Sequence, residues 1–266
     1  MSSDLDYLGH LASESARFAQ VLSGAPSDAA VPSCPGWDAE DLLWHLGEVQ
    51  WFWGTIVGDR LTDPAAAETR KPQRPAGRAA LATFYDGASR NLQAVLAGTP
   101  ADTPVWTWSA DQSAGFIRRR QAHEALIHRV DAELTTRSRS PTDARLSADG
   151  VDEVLRVMYG GQPEWGTFTP VADATLRIRA TDTGDSWLVM LGRFTGVDPK
   201  DGTACDEDDI AVAGKDGGGE VAATVAGSAA DLDCWLWHRP AFDALARSGD
   251  AEVLARFDAT IAPGLR

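Results

Sequence analysis

The sequence predicts a two-domain α+β protein, with a four-helix bundle first and a smaller mixed α/β domain after it. Three observations carry this. Apolar residues recur at steps of three and four as far as residue 135, and strict apolar/polar alternation begins only after residue 142. The length of 266 residues also exceeds the common single-domain size of roughly 100–150. We divide the chain into 1–142 and 143–266, and no internal repeat at a fixed period is visible.

The first helix is read from Leu5, Leu8, Leu11, Phe18, Val21 and Leu22, and it ends near Gly24 and Pro26. The second follows PGWDAEDLLWHL, with Asp38 as N-cap and Glu40 and Asp41 at the positive end of the helix dipole. Leu42, Leu46, Val49, Trp53 and Ile56 form its apolar stripe, and Gly58 closes it. Residues 62–78, rich in Pro, Ala and Arg, read as a loop. A third helix spans about 78–96 and stops at Gly98 and Pro100. TPVWTWSADQSAG is irregular, its two Trp capping one end of the bundle, and a fourth helix covers about 115–135.

Beyond RSRSPTD, residues 149–159 read as a helix. ATLRIRATD, SWLVMLGRF and EVAATVAGS read as strands, whereas GVDPKDGTACDEDD and AGKDGGGE read as acidic surface loops. SAADLDCWLWHRP opens with a Ser/Asp cap and stops at Pro240, and a last helix covers about 250–257.

Composition narrows the function classes. Hydrophobic residues make up 44%, enough for real cores, so the chain is globular. A net charge of −15 argues against a nucleic-acid backbone as partner, because phosphates are repelled at long range. Cys34, Cys205 and Cys234 are odd in number and widely spaced, which fits reduced thiols rather than a disulfide framework. The N-terminus has no apolar run of a signal peptide and no segment reaches eighteen apolar residues, so a soluble cytoplasmic protein without a membrane partner is expected.

Residues 120–131, RQAHEALIHRVD, carry the chemistry. On a helical wheel of about 100° per residue, with Glu124 at zero, His128 lies near 40°, Arg120 near −40° and Asp131 near −20°. Glu124 and His128 therefore share one edge of the apolar face, where a carboxylate is costly unless paired or metal-bound. On the second helix, His45 sits in the stripe Leu42–His45–Val49–Phe52–Ile56, among core positions. His45, Glu124 and His128 supply two imidazoles and one carboxylate, a donor set typical of catalytic metal sites with an open position. A structural network in which Glu124 pairs with Arg120 or a histidine fits the same pattern. His123, near 260°, belongs to the core or supports the ligands, so HExxxH is not a zincin motif. His10 and His238 read as structural, and Cys34 as a buried structural thiol.

VPSCPGWDAEDLLWHLGEV followed by RRRQAHEALIHRVDAEL resembles the maleylpyruvate isomerase family of mycothiol-dependent enzymes, and SAADLDCWLWHRP extends the likeness toward the C-terminus. The resemblance implies a DinB-like metal-binding four-helix bundle followed by the family's C-terminal α+β domain. It implies a divalent metal, zinc by preference, held by His45, Glu124 and His128, with mycothiol as cosubstrate. It further implies a functional arginine in the second domain, for which Arg239 stands at the matching motif position, although an Arg there also fits capping of its own helix. Gln50-Trp51 departs from the polar pair seen in many members, and we expect a pocket mouth suited to a less charged substrate.

The expected function is thiol addition to a small-molecule electrophile, giving either cis–trans isomerisation or S-transfer, since both need the same protein parts. The alternatives from other classes are a non-catalytic metal- or ligand-binding protein and a metal-dependent hydrolase on the same bundle.

Overall fold

A computed structural model describes residues 5–213 and 221–264. The chain divides into two compact units, Met1–Pro141 and Thr142–Arg266.

Unit 1 contains α1 (Tyr7–Ser23), α2 (Ala39–Gly58), a short α3 (Ala65–Glu68), α4 (Arg78–Gly98) and α5 (Ala114–Thr135). The loop expected over 62–78 thus carries one helical turn, opened by Asp63, whose carboxylate accepts from the Ala65 N–H at 2.8 Å. Helix α1 packs on α5, and α2 packs on both α4 and α5. Phe18, Leu22, Leu42, Leu46, Leu81 and Tyr85 fill the core between them. The α2–α4 seam is tight because Gly47 and Gly54, seven apart, face it. A Cβ on Gly47 would meet the Phe84 ring at 3.3 Å, and one on Gly54 would meet Asn91 Nδ2 at 2.9 Å.

The start of α2 is fixed by a capping box. Asp38 Oδ1 accepts from the Asp41 N–H at 2.8 Å, while Asp41 Oδ2 accepts from the Asp38 N–H at 3.1 Å. Before it, the V-P-S-C-P-G-W segment folds back on itself. The Val31 N–H donates to Trp37 O at 3.0 Å, and Gly36 supplies the left-handed turn at φ 88°.

Helix α5 departs from simple amphipathicity. Arg120, Gln121, His123, His128, Arg129, Asp131 and Glu133 are all buried. Much of this charge is neutralised against α1. Arg129 Nε donates to Glu14 at 2.7 Å and Nη1 to Glu133 at 2.9 Å, and Arg17 Nε donates to the other oxygen of Glu133 at 2.8 Å. The backbone N–H and hydroxyl of Ser140 complete the Glu133 shell at 2.8 and 2.7 Å.

Unit 2 begins with α6 (Ala144–Glu153), which widens into a π-helical stretch, Val154–Tyr159. Its sheet has the order β3-β2-β1-β4-β5, formed by β1 (Gly166–Ala180), β2 (Ser186–Val197), β3 (Ala204–Val212), β4 (Ala223–Gly227) and β5 (Ala246–Gly249). Among the described residues, all strand pairs are antiparallel except β1 with β4. Helices α7 (Ala229–Leu236) and α8 (Ala251–Ile261) complete the unit. Leu176, Ile178, Val189, Leu191, Val225, Leu232 and Phe257 form its core.

Two sequence expectations change here. ACDEDDIAV is strand β3 rather than loop, because Arg193 on β2 pairs with Asp206 at 2.5 Å and Asp208 at 3.4 Å, and Arg256 binds Asp208 at 2.6 Å. An acidic edge strand is stable when arginines answer its charges. Helix α7 stops before Pro240, since His238 takes a left-handed φ of 60°. Of the expected AGKDGGGE loop, residues 214–220 lie outside the described residues.

Burial alone raises the Glu133 carboxyl, but Ser140, Arg17 and Arg129 outweigh it and hold the group below the usual carboxylate range. A depressed native pKa contributes stability above the unfolded value, about 4.5, which is lost as pH falls through the native one. Glu133→Gln is therefore expected to lower stability at pH 7 by about 2–4 kcal/mol, with the gap from wild type shrinking below about pH 4; urea unfolding at several pH values measures it.

Candidate metal centre

Helix α2 delivers His45 and helix α5 delivers Glu124 and His128 to one point. The ligand-type atoms of the three side chains all lie within 4.8 Å of one another. Glu124 Oε1 is their centre, 3.6 Å from His45 Nε2 and 3.2 Å from His128 Nε2. The two imidazoles meet edge to face with ring centroids 4.8 Å apart. The site is reached from the His45 side. The His45 side chain is 34% exposed, that of Glu124 18% and that of His128 10%.

Each of the three side chains is held from behind. The second oxygen of Glu124 accepts from Arg120 Nη2 at 2.8 Å, which turns Oε1 toward the histidines. His128 Nδ1 lies 2.9 Å from Asp131 Oδ2, so its Nε2 points at Glu124. Asp131 is fully buried and also accepts from the Ser33 hydroxyl, with Cys34 Sγ 3.9 Å from Oδ2. The His45 ring packs on Trp37 at 4.8 Å. The folded-back loop before α2 therefore supports both histidines, one through Ser33 and Asp131 and the other through Trp37.

The electrostatics follow from this geometry. Burial raises the Glu124 carboxyl, but His128, His45 and Arg120 reverse the effect and hold it well below the usual range. Burial lowers His128, and the carboxylates of Asp131 and Glu124 overturn that and push it up to about 9. In chemical terms, two imidazole nitrogens and one carboxylate oxygen face a common point, the donor set of a three-ligand catalytic zinc site. A carboxylate on the remote nitrogen of a ligating histidine is the usual support for such a ligand.

The sequence also raised Arg239, Cys34, Gln50, His123 and His238. Arg239 lies in unit 2, where Nη1 donates to Trp237 O at 2.6 Å and its backbone N–H to Cys234 O at 2.7 Å, the geometry of a cap on α7. Cys34 is half-buried rather than buried. Gln50 does not face the pocket mouth: it is fully buried and donates to Ser15 Oγ on α1 at 2.9 Å. His123 is buried in T-shaped contact with Tyr7, and His238 Nε2 lies 2.9 Å from Ile261 O. Asp131 braces His128, a part to which residue order alone did not assign it. Its signal was present, an Asp three residues after His128 and so one turn along the same helix face.

Residues 8–133 match the family model described as the mycothiol maleylpyruvate isomerase N-terminal domain, and residues 145–256 match the C-terminal domain of the same family. Two crystal structures of the mycothiol-dependent maleylpyruvate isomerase resemble the chain, one of them a histidine-to-alanine mutant. Their TM-scores are 0.55 for the unmutated enzyme and 0.57 for the mutant; each is 13% identical and covers 92% of this chain and 93% of its own. At that identity the likeness is one of fold. No curated protein matches the sequence significantly.

In metal-free protein, an NMR titration should place the His128 imidazole near 9. Asp131→Asn should bring it down by about one unit or more as the buried partner charge is lost.

Proposed function

The chain belongs to the mycothiol maleylpyruvate isomerase family, and from that premise we propose that it is a divalent-metal enzyme activating a low-molecular-weight thiol, mycothiol, toward an electrophile. The observation that carries the proposal is the convergence of His45, Glu124 and His128 within 4.8 Å. Two nitrogens and one oxygen suit zinc and leave a coordination position open.

A cation bound there favours the thiolate of a thiol whose ordinary pKa is about 8.5, and it polarises a carbonyl oxygen. The protein's part is orientation. Asp131 accepts a hydrogen bond from His128 Nδ1, which leaves Nε2 as the donor atom for a metal. Arg120 holds one Glu124 oxygen and frees the other. Trp37 fixes the plane of the His45 ring. Isomerisation then balances without a net change of atoms. The thiolate sulfur bonds to one end of a cis C=C conjugated to a carbonyl, and the electron pair moves to the carbonyl oxygen. The new single bond rotates, and re-forming C=C expels the thiolate. In S-transfer, the carbon–sulfur bond is kept and a leaving group departs or a proton is taken up.

Arg239 is our candidate for meeting the charge that builds on the substrate oxygen, assigned by its motif position. The second reading is a non-catalytic binding protein. It draws on the chain Arg120–Glu124–His128–Asp131, whose charges already answer one another.

Wild-type protein is expected to hold about one divalent metal per chain, lost on His45→Ala or Glu124→Ala, while Asp131→Asn weakens binding by about 10–100-fold. Elemental analysis and competition with a chromophoric chelator measure both effects. Turnover of maleylpyruvate or a generic electrophile should require added thiol. A metal-bearing protein without thiol-dependent turnover of any electrophile would select the binding-protein reading. Arg239→Ala should lower kcat by about 10²–10³-fold with metal content unchanged, and Arg239→Lys should recover part of it.

A further inference from the structure

Unit 1 holds a half-open cleft of about 290 Å³ along α2, flanked by α3 and the segment around Trp106 and Trp108. Its walls are largely aromatic: Trp51, Phe52, Trp53, Trp106 and Trp108 line it together with Val49. The rings are organised. Trp53 and Trp106 stack with centroids 5.8 Å apart and planes 16° from parallel, and Phe52 meets both in T-shaped contacts, at 5.1 and 6.0 Å. Trp108 is 46% exposed, an unusual position for an indole that packs only partly on its neighbours.

The cavity lies next to the candidate metal centre on the same helix face. His45, Val49 and Phe52 follow one another at steps of four and three along α2, so the cavity begins about 6 Å of helix rise beyond the His45 ligand. The polar lining is small, and its charge is unfavourable to anions. Glu48 and Lys71 are joined in an ion pair, and Glu68 adds a second carboxylate. Among the described residues lining the cavity none is an arginine, so a small dicarboxylate meets no guanidinium fork there and faces net negative charge. A sugar finds broad ring faces but few hydrogen-bond partners.

We propose that this cavity is the compartment for the organic substrate and that it selects a planar, uncharged electrophile bearing an aryl group over a small dicarboxylate. The proposal rests on His45, Glu124 and His128 being the reactive centre. Burial of an aromatic ring among indole and phenyl walls supplies the selectivity.

The test separates the cavity from the centre by using a probe that does not react. Calorimetric titration of the full chain with 2-naphthol, maleate and methyl α-glucoside should show naphthol bound at least about tenfold more tightly than either of the others, one decade in Kd. Val49→Trp, which fills the space, should weaken naphthol at least about tenfold, and Trp108→Ala, an exposed position that leaves the fold intact, by about 2- to 10-fold. His45→Ala should change naphthol affinity by less than about twofold, because the ring walls do not include it. Equal or tighter binding of maleate or the glucoside overturns the proposal, as does naphthol binding that ignores both cavity substitutions. If the metal reading alone fails, thiol-dependent turnover is absent while naphthol still binds in the cavity. If the cavity reading alone fails, turnover persists and naphthol selectivity is missing.

Discussion

Helix α5 is stable only because each charge it buries is met by an opposite charge or a hydrogen bond. A lone carboxylate or guanidinium in such a position would cost several kcal/mol, of order 3–5 when one partner of a buried pair is removed. The helix meets this constraint in two clusters. Toward α1, Arg129 and Glu133 are answered by Glu14, Arg17 and Ser140. Toward α2, Glu124, His128 and Asp131 are answered by Arg120, His45 and Ser33. The first cluster fixes the helix against its neighbour, and the second forms the candidate metal centre. The precision of the site is thus inherited from the packing of the bundle rather than from a flexible loop.

The loop before α2 matters for the same reason. Its turn at Gly36 and the capping box at Asp38 set where the helix begins and so where His45 falls. Ser33 and Trp37, four residues apart in that loop, act on different histidines of the trio, through Asp131 and through ring contact. A short motif that reads as a turn signal is therefore also a brace.

Much of this was readable from residue order alone. The four long helices declared themselves through apolar spacing and caps, since Leu42, Leu46 and Ile56 or Leu126 and Val130 repeat with the helical period. His45 and the Glu-x-x-x-His pair stood out because polar groups occupied core positions. What escaped was set by partners distant in sequence. Strand β3 reads as loop until Arg193 and Arg256 are seen beside its aspartates. Gln50 reads as mouth-lining until Ser15 on α1 is seen to accept from it. Asp131 has an ordinary wheel position, and it is Ser33 and His128 on either side that give it a task. The clustered tryptophans were visible, but not that their rings line a common cleft.

The parallel pairing of β1 with β4 has a consequence for how unit 2 assembles. The ladder from Leu176–Ala223 to Ala180–Gly227 joins segments far apart in the chain, with β2 and β3 between them. The β1–β2–β3 meander needs only neighbouring contacts and is suited to early collapse, whereas β4 and then β5 must search for an edge that already exists. That order makes the exposed flank of β1 a transient open seam during synthesis, and it is there that a nascent chain of this protein is most vulnerable to pairing with the wrong strand.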